Sequence, residues 1–75
     1  MVQDRSPPFS DPGEPDLGEV YLEFYAVGTV LKVSAIHAAT GIEVSAVGPA
    51  NAARADLQRL ALGKLRQRLK REGRL

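Results

Sequence analysis

Residues Val30 to Pro49, VLKVSAIHAATGIEVSAVGP, constrain the fold of this 75-residue chain more than any other stretch. They predict a β-hairpin whose tip is Ala38-Ala39-Thr40-Gly41. A four-residue loop ending in Gly usually joins a type I turn to a left-handed Gly, because Gly enters that region without steric penalty. Such a loop pairs His37 with Ile42, Ala35 with Val44, Val33 with Ala46 and Leu31 with Gly48. Side chains alternate between faces along a strand, and directly paired residues share a face. One face therefore carries Leu31, Val33, Ala35, Ile42, Val44 and Ala46. The other carries Lys32, Ser34, Ile36, Glu43, Ser45 and Val47. A slip of one residue would mix the two sets, so the apolar pattern itself selects the register.

Glu19 to Val27 is rich in aromatic and branched residues with period-two alternation, and is expected to form a strand. Gly28-Thr29 follows, and Gly at the first central position marks a two-residue type II′ turn. That turn pairs Val27 with Val30, Phe24 with Val33 and Leu22 with Ala35. Val20, Leu22, Phe24 and Ala26 then fall on the apolar face already derived from the other hairpin. Two independent turn assignments converge on one inward surface, with Val30 to His37 as the central strand.

Gly48-Pro49 ends the sheet, and Asn51 stands where an N-cap is expected. From Ala52 to about Glu72 the residues are good helix formers, and Gly73 suits the position just beyond the helix. Leu57, Ala61, Leu65 and Leu69 recur every four residues, with Leu62 beside them, which makes one apolar stripe. Arg59, Arg66, Lys70, Gln67 and Asp56 project on the far side. At about 1.5 Å per residue the helix would be roughly 30 Å long, so its last turns are expected to overhang the strands. Gly63 falls in mid-helix without an evident reason. The expected fold is α+β: a three-stranded antiparallel meander sheet packed on one face by a C-terminal helix, in the order βββα. Residues 19–75 form this domain. Residues 1–18, with Pro7, Pro8, Pro12 and Pro15 among acids, are expected to be a disordered acidic tail.

The stretch KVSAIHAATGIEVSAVGPAN, followed by RLALGKL, resembles the shared core of a family of short, uncharacterised bacterial proteins. The resemblance spans about residues 19 to 70. In that family position 37 is often Asp, which implies a turn-capping role for His37, and no agreed activity comes with the likeness.

A single small core of this size is near the lower limit of self-sufficiency, and the chain has no Cys to supplement it with disulfides or thiolate metal sites. His37 alone cannot build a zinc site, so no metal and no cofactor are expected. No apolar run reaches signal-peptide length and no stretch could span a bilayer, so the expected setting is the cytoplasm, without a membrane partner.

The catalytic candidates fall away one at a time. His37 lies inward beside the loop, where hydrogen bonding to the turn is the plainer role than general base. Ser34 and Ser45 point to the opposite face, so a Ser–His pair cannot form. Glu23 and Glu43 share the outer face but have no cleft around them, and read as solvated charges. Gly63-Lys64 lacks the upstream Gly of a phosphate-binding loop. The helix N-terminus after Gly48-Pro49 has only Arg54 as a second anion anchor. No catalytic residue is assigned, and an enzyme is not expected.

Two surfaces remain. With Tyr21, Tyr25, Val27, Val30, Ile36 and Val47 the outer sheet face is more apolar than a solvated face needs to be, and through Tyr21, Tyr25, Lys32, Ile36 and Val47 it suits a protein partner or a second copy of the chain. Both outer strands also leave edges open to pairing. The alternative occupant of the outer face is the chain's own Phe9 and neighbouring prolines. The second surface is charged. Residues 54–75 hold Arg54, Arg59, Lys64, Arg66, Arg68, Lys70, Arg71 and Arg74 against Asp56 and Glu72, whereas residues 1–23 hold Asp4, Asp11, Glu14, Asp16, Glu19 and Glu23 against Arg5. RNA or DNA, the second-choice partner, would use Arg59, Arg66, Lys70, Arg71 and Arg74 on the helix, because the outer sheet face has a single cation for phosphates. Composition therefore points to a non-enzymatic interaction module, homodimeric or adaptor-like, ahead of a nucleic-acid binder.

Overall fold

The computed structural model describes Val2–Arg5 and residues 17–75. Strands β1 (Val2–Arg5), β2 (Val20–Val27), β3 (Val30–His37) and β4 (Glu43–Pro49) form one antiparallel sheet in the order β1-β2-β3-β4, followed by helix α1 (Arg54–Arg71). The fold is α+β, with the βββα arrangement of β2 to α1 and a short extra strand at one edge.

Both predicted registers are present. Val27 pairs with Val30, Phe24 with Val33 and Leu22 with Ala35 across the first hairpin. Val33 pairs with Ala46, Ala35 with Val44 and Leu31 with Gly48 across the second. The turns are built as their chemistry requires. Gly28 and Gly41 sit at φ +57° and +74°, a region that side chains with a Cβ rarely enter. His37 N–H donates to Ile42 O (2.8 Å), and Gly41 N–H returns to His37 O (2.7 Å).

The inward face closes the core with Val20, Leu22, Phe24, Leu31, Val33, Ala35 and Ala46, while Ala26, Ile42 and Val44 pack at its margin. From α1 come Leu57, Ala61, Leu62, Leu65 and Leu69. Where β4 runs under the start of α1, Gly48 has no side chain to obstruct Leu57. A Cβ built there would lie 2.9 Å from Leu57 Cδ2. The Arg54 guanidinium lies 5.0 Å from the centre of the Phe24 ring and caps the core as a cation–π contact.

The helix departs from expectation at its start. Ala53, not Asn51, is the N-cap, and no side chain caps the first turn. The chain makes one further turn on leaving the sheet, with Ala50 N–H donating to Thr29 O and Ala52 N–H to Pro49 O, which delays the helix. Its eighteen residues then span about 27 Å at about 1.5 Å each. The eight residues of β3 span about 26 Å at about 3.3 Å each. The last turn does not overhang, since Leu69 is fully buried. The C-terminal stop is as expected. Gly73 at φ +71° lets its own N–H reach Lys70 O and the Arg74 N–H reach Leu69 O, the paired bonds of a Schellman motif.

The boundary at residues 18/19 needs correction on two points. Val2–Arg5 is a strand rather than disordered tail, with Val2 opposite Ala26 and Arg5 opposite Glu23. The physical reason is the edge of β2, whose outward N–H and C=O groups offer a ladder to any extended segment. Leu17 is buried in the core, so the domain begins at or before it. The Pro-rich stretch with Phe9 lies outside the described residues.

Candidate functional site

The outer face of β2, β3 and β4 is laid out in cross-strand rows by the pairing. Tyr21, Ile36 and Glu43 form one row; Glu23, Ser34 and Ser45 the next; Tyr25, Lys32 and Val47 the third; Val27, Val30 and Pro49 the last. The predicted protein-binding residues Tyr21, Tyr25, Lys32, Ile36 and Val47 thus share this face but divide between two rows. Around the third and fourth rows is a depression of about 350 Å³ lined by Tyr25, Val27, Val30, Lys32, Ser34, Glu43 and Val47. Tyr25, Lys32 and Val47 line it, whereas Tyr21 and Ile36 lie beyond it. Among its lining residues are the most exposed aliphatic side chains of β2, β3 and β4, with Val47 62%, Val27 52% and Val30 43% accessible. Pattern reasoning placed all three valines on this face without including Val27 and Val30 among the binding residues. Their position next to the Gly28-Thr29 turn was the available signal, because a turn end is where a sheet face is least covered.

The middle row differs from expectation. Glu23 is only 8% exposed and Ser34 is buried, so Glu23 is not a solvated surface charge. β1 makes β2 an interior strand, in which Glu23 pairs with Arg5 on one side and Ser34 on the other. Glu43 is exposed, as expected.

His37 is buried and both of its ring nitrogens are engaged. Nε2 lies 2.8 Å from Leu17 O, a carbonyl that can only accept, so Nε2 carries the proton in the neutral ring. Nδ1 then accepts from the Thr40 hydroxyl at 2.8 Å, and Thr40 Oγ1 in turn accepts the Ile42 N–H at 3.2 Å. The imidazole ties the loop to the segment entering β2, which is a structural use of both nitrogens. Ser34 and Ser45 are on the other face of the sheet. Among the described residues no group of three His, Cys, Asp or Glu side chains could hold a metal ion. Arg54, the one cation weighed as an anion anchor beside the helix start, stacks on Phe24 instead.

The predicted nucleic-acid residues are spread around α1 and past its end. Arg59, Arg66 and Lys70 follow one another at seven- and four-residue spacing along the face away from the sheet. Arg71 lies on the flank beside β4, and Arg74 follows the helix. Arg59 is 3.5 Å from Asp56, with both side chains largely in solvent. Lys64 and Arg68 were left out of that set. Lys64 Nζ donates to Ser45 O at 2.6 Å, and the Arg68 guanidinium pairs with Glu72. That hydrogen bond, against an opposing effect of desolvation and with the charges of Arg68, Arg74 and Arg71 adding to it, holds the Glu72 carboxyl below the usual carboxylate range.

No curated protein and no solved structure matches the chain. A family model described as a domain of unknown function, DUF6898, matches residues 17–72. The match starts at the buried Leu17 and ends one residue after α1, so it covers β2 to α1, and the chain belongs to this family.

Proposed function

From membership of a family to which no activity is attached, we propose that this protein is a non-enzymatic interaction module that joins a second copy of itself, or serves as an adaptor, through its outer sheet face. One observation carries this reading: Val27, Val30 and Val47 stand in solvent around a depression that Tyr25 also lines. Contiguous exposed apolar surface on a small domain marks contact surfaces more often than it marks nothing. A core of this size also gains from association. Lys32 and Glu43 in the lining supply one charge of each sign, which fits a two-fold contact in which each copy offers both. A cytoplasmic bacterial setting belongs to the same reading; among the described residues no helix is long and apolar enough to cross a membrane.

Light scattering over a concentration series tests it. The mass is expected to rise toward twice the monomer value, and the double variant V27D/V47D should stay monomeric, with an unfolding midpoint that does not rise with protein concentration as that of the unaltered chain does. A monomer at every concentration, together with no partner cross-linked through this face in cells, sinks the proposal.

A second reading rests on the line of Arg59, Arg66 and Lys70 along the outer side of α1, with Arg71 on the flank and Arg74 beyond the helix end. Lys and Arg along one helix face can replace counterions on a phosphate backbone. Filter binding at low salt is the check: R66E/K70E should abolish retention of RNA or DNA, and no retention by the unaltered chain removes this reading.

A further inference from the structure

We propose that the free edge of β4 and the basic flank of α1 together form a binding site for an extended acidic peptide segment of a partner protein, which joins the sheet as an added strand. This site is separate from the outer-face depression and does not depend on it.

Three observations converge on it. The first is the edge itself. Among the described residues β4 pairs only with β3, and the His37–Ile42 hydrogen bond sets which residues face that ladder. Backbone groups alternate in direction along an antiparallel strand, so Ile42, Val44, Ala46 and Gly48 address β3 while Glu43, Ser45 and Val47 turn theirs outward. The opposite edge of the three-stranded meander is already occupied by β1, which demonstrates that an extended segment can be added to this sheet. The second observation is a cleft of about 440 Å³ running between that edge and α1, lined by Glu43, Val44, Ser45, Lys64, Gln67, Arg68 and Arg71. The third is charge. Arg68 is engaged with Glu72 and Lys64 with Ser45 O, so Arg71 is the cation a ligand meets first, and Glu43 is the one acid among the described lining residues.

These features specify the occupant. A strand laid along Glu43–Val47 directs alternate side chains toward the α1 flank, and acids at those positions would meet Lys64 and Arg71. Lys64 now closes the edge by donating to Ser45 O. The bond is exposed, so its release is inexpensive, and Lys64 is then available to a ligand carboxylate. A second copy of the chain is a poor occupant, because pairing β4 with its symmetry mate would bring two sets of Lys64, Arg68 and Arg71 together. An acidic partner has no such conflict.

The test uses the full chain and a fluorescently labelled peptide alternating Val and Glu, read by anisotropy at low ionic strength. Saturable binding is expected. The same peptide with its backbone amides N-methylated keeps its charges but cannot pair with an edge, and should bind at least about tenfold more weakly, the loss expected for one or two hydrogen bonds. The variant R71E, altered at an exposed side chain, should weaken the unmodified peptide by a similar factor, and circular dichroism should show its fold intact. No binding at low salt overturns the proposal. Equal binding of the N-methylated peptide also overturns it, since charge alone would then be responsible. So does displacement of the peptide by a much lower concentration of single-stranded oligothymidylate, which would make the flank a nucleic-acid surface.

Discussion

His37 shows how a residue with catalytic potential is committed to structure. Its ring lies between a carbonyl that must receive a proton and a hydroxyl that can supply one, so each nitrogen has a defined role. Deleting one member of such a buried chain leaves its neighbours unsatisfied, at about 1–3 kcal/mol per stranded group. We therefore expect H37A and T40V each to lower stability in urea unfolding, H37A by about 2–3 kcal/mol and T40V by about 1 kcal/mol. The double variant should lose less than the sum, because both changes break the same bond. Additive losses would mean that the His37–Thr40 contact contributes nothing. The inward position of His37 and its turn-bonding role were both legible in the sequence, because the register follows from Gly41. The partner Leu17 was not. An isolated Leu between Asp16 and Gly18, next to a Pro-rich stretch, carries no periodicity, and only the folded chain shows that it lies in the core.

At the scale of elements, turn chemistry decided what could be read. Gly28 and Gly41 each admit one loop geometry, and the two hairpins follow from them with every cross-strand pair. The helix start was not legible, because an Asn in a connecting turn resembles an N-cap in sequence, and the extra turn after Pro49 depends on a hydrogen bond to the distant Thr29. The strand β1 was equally hidden, since the four residues VQDR show no alternation and form a strand only through the neighbouring edge. Gly63 has no structural explanation: a Cβ there would meet nothing within 4 Å. G63A should therefore stabilise α1 by about 0.5–1 kcal/mol, measured as a higher unfolding midpoint. A loss of stability would show that this backbone position tolerates only Gly. The helix end also carries a pH dependence. The Glu72 carboxyl is held below its ordinary range by the Arg68 hydrogen bond, so its contribution is complete above the unfolded-state carboxylate pKa and disappears as pH falls through the folded-state value. Both partners are exposed, so the effect is small and local. Faster amide exchange at Gly73 and Arg74 in acid, after correction for intrinsic rates, and its absence from E72Q, is the expected signature.

For the whole molecule, the arrangement of core and edges determines what each part can contribute. Every buried apolar residue among the described ones lies between Leu17 and Leu69, within the span of the family match. Among the described elements β1 adds a ladder to β2, and β4 stands at the opposite edge of the sheet. A chain lacking residues 1–5 should therefore still fold, with β2 to α1 giving the same cross-strand amide contacts by NMR. Its global stability should fall by only about 1–3 kcal/mol, in keeping with the loss of a few net hydrogen bonds of about 1 kcal/mol each. Exchange should accelerate most at Leu22, Phe24 and Ala26, whose backbone groups face away from β3. The truncated chain should also associate more readily, because an exposed β2 edge then joins β4 as a template for pairing. V27D/V47D would leave that added association intact, since edge pairing does not use the outer face. Global unfolding on truncation would instead make β1 part of the minimal fold, and would move the lower boundary of the domain from Leu17 to Val2.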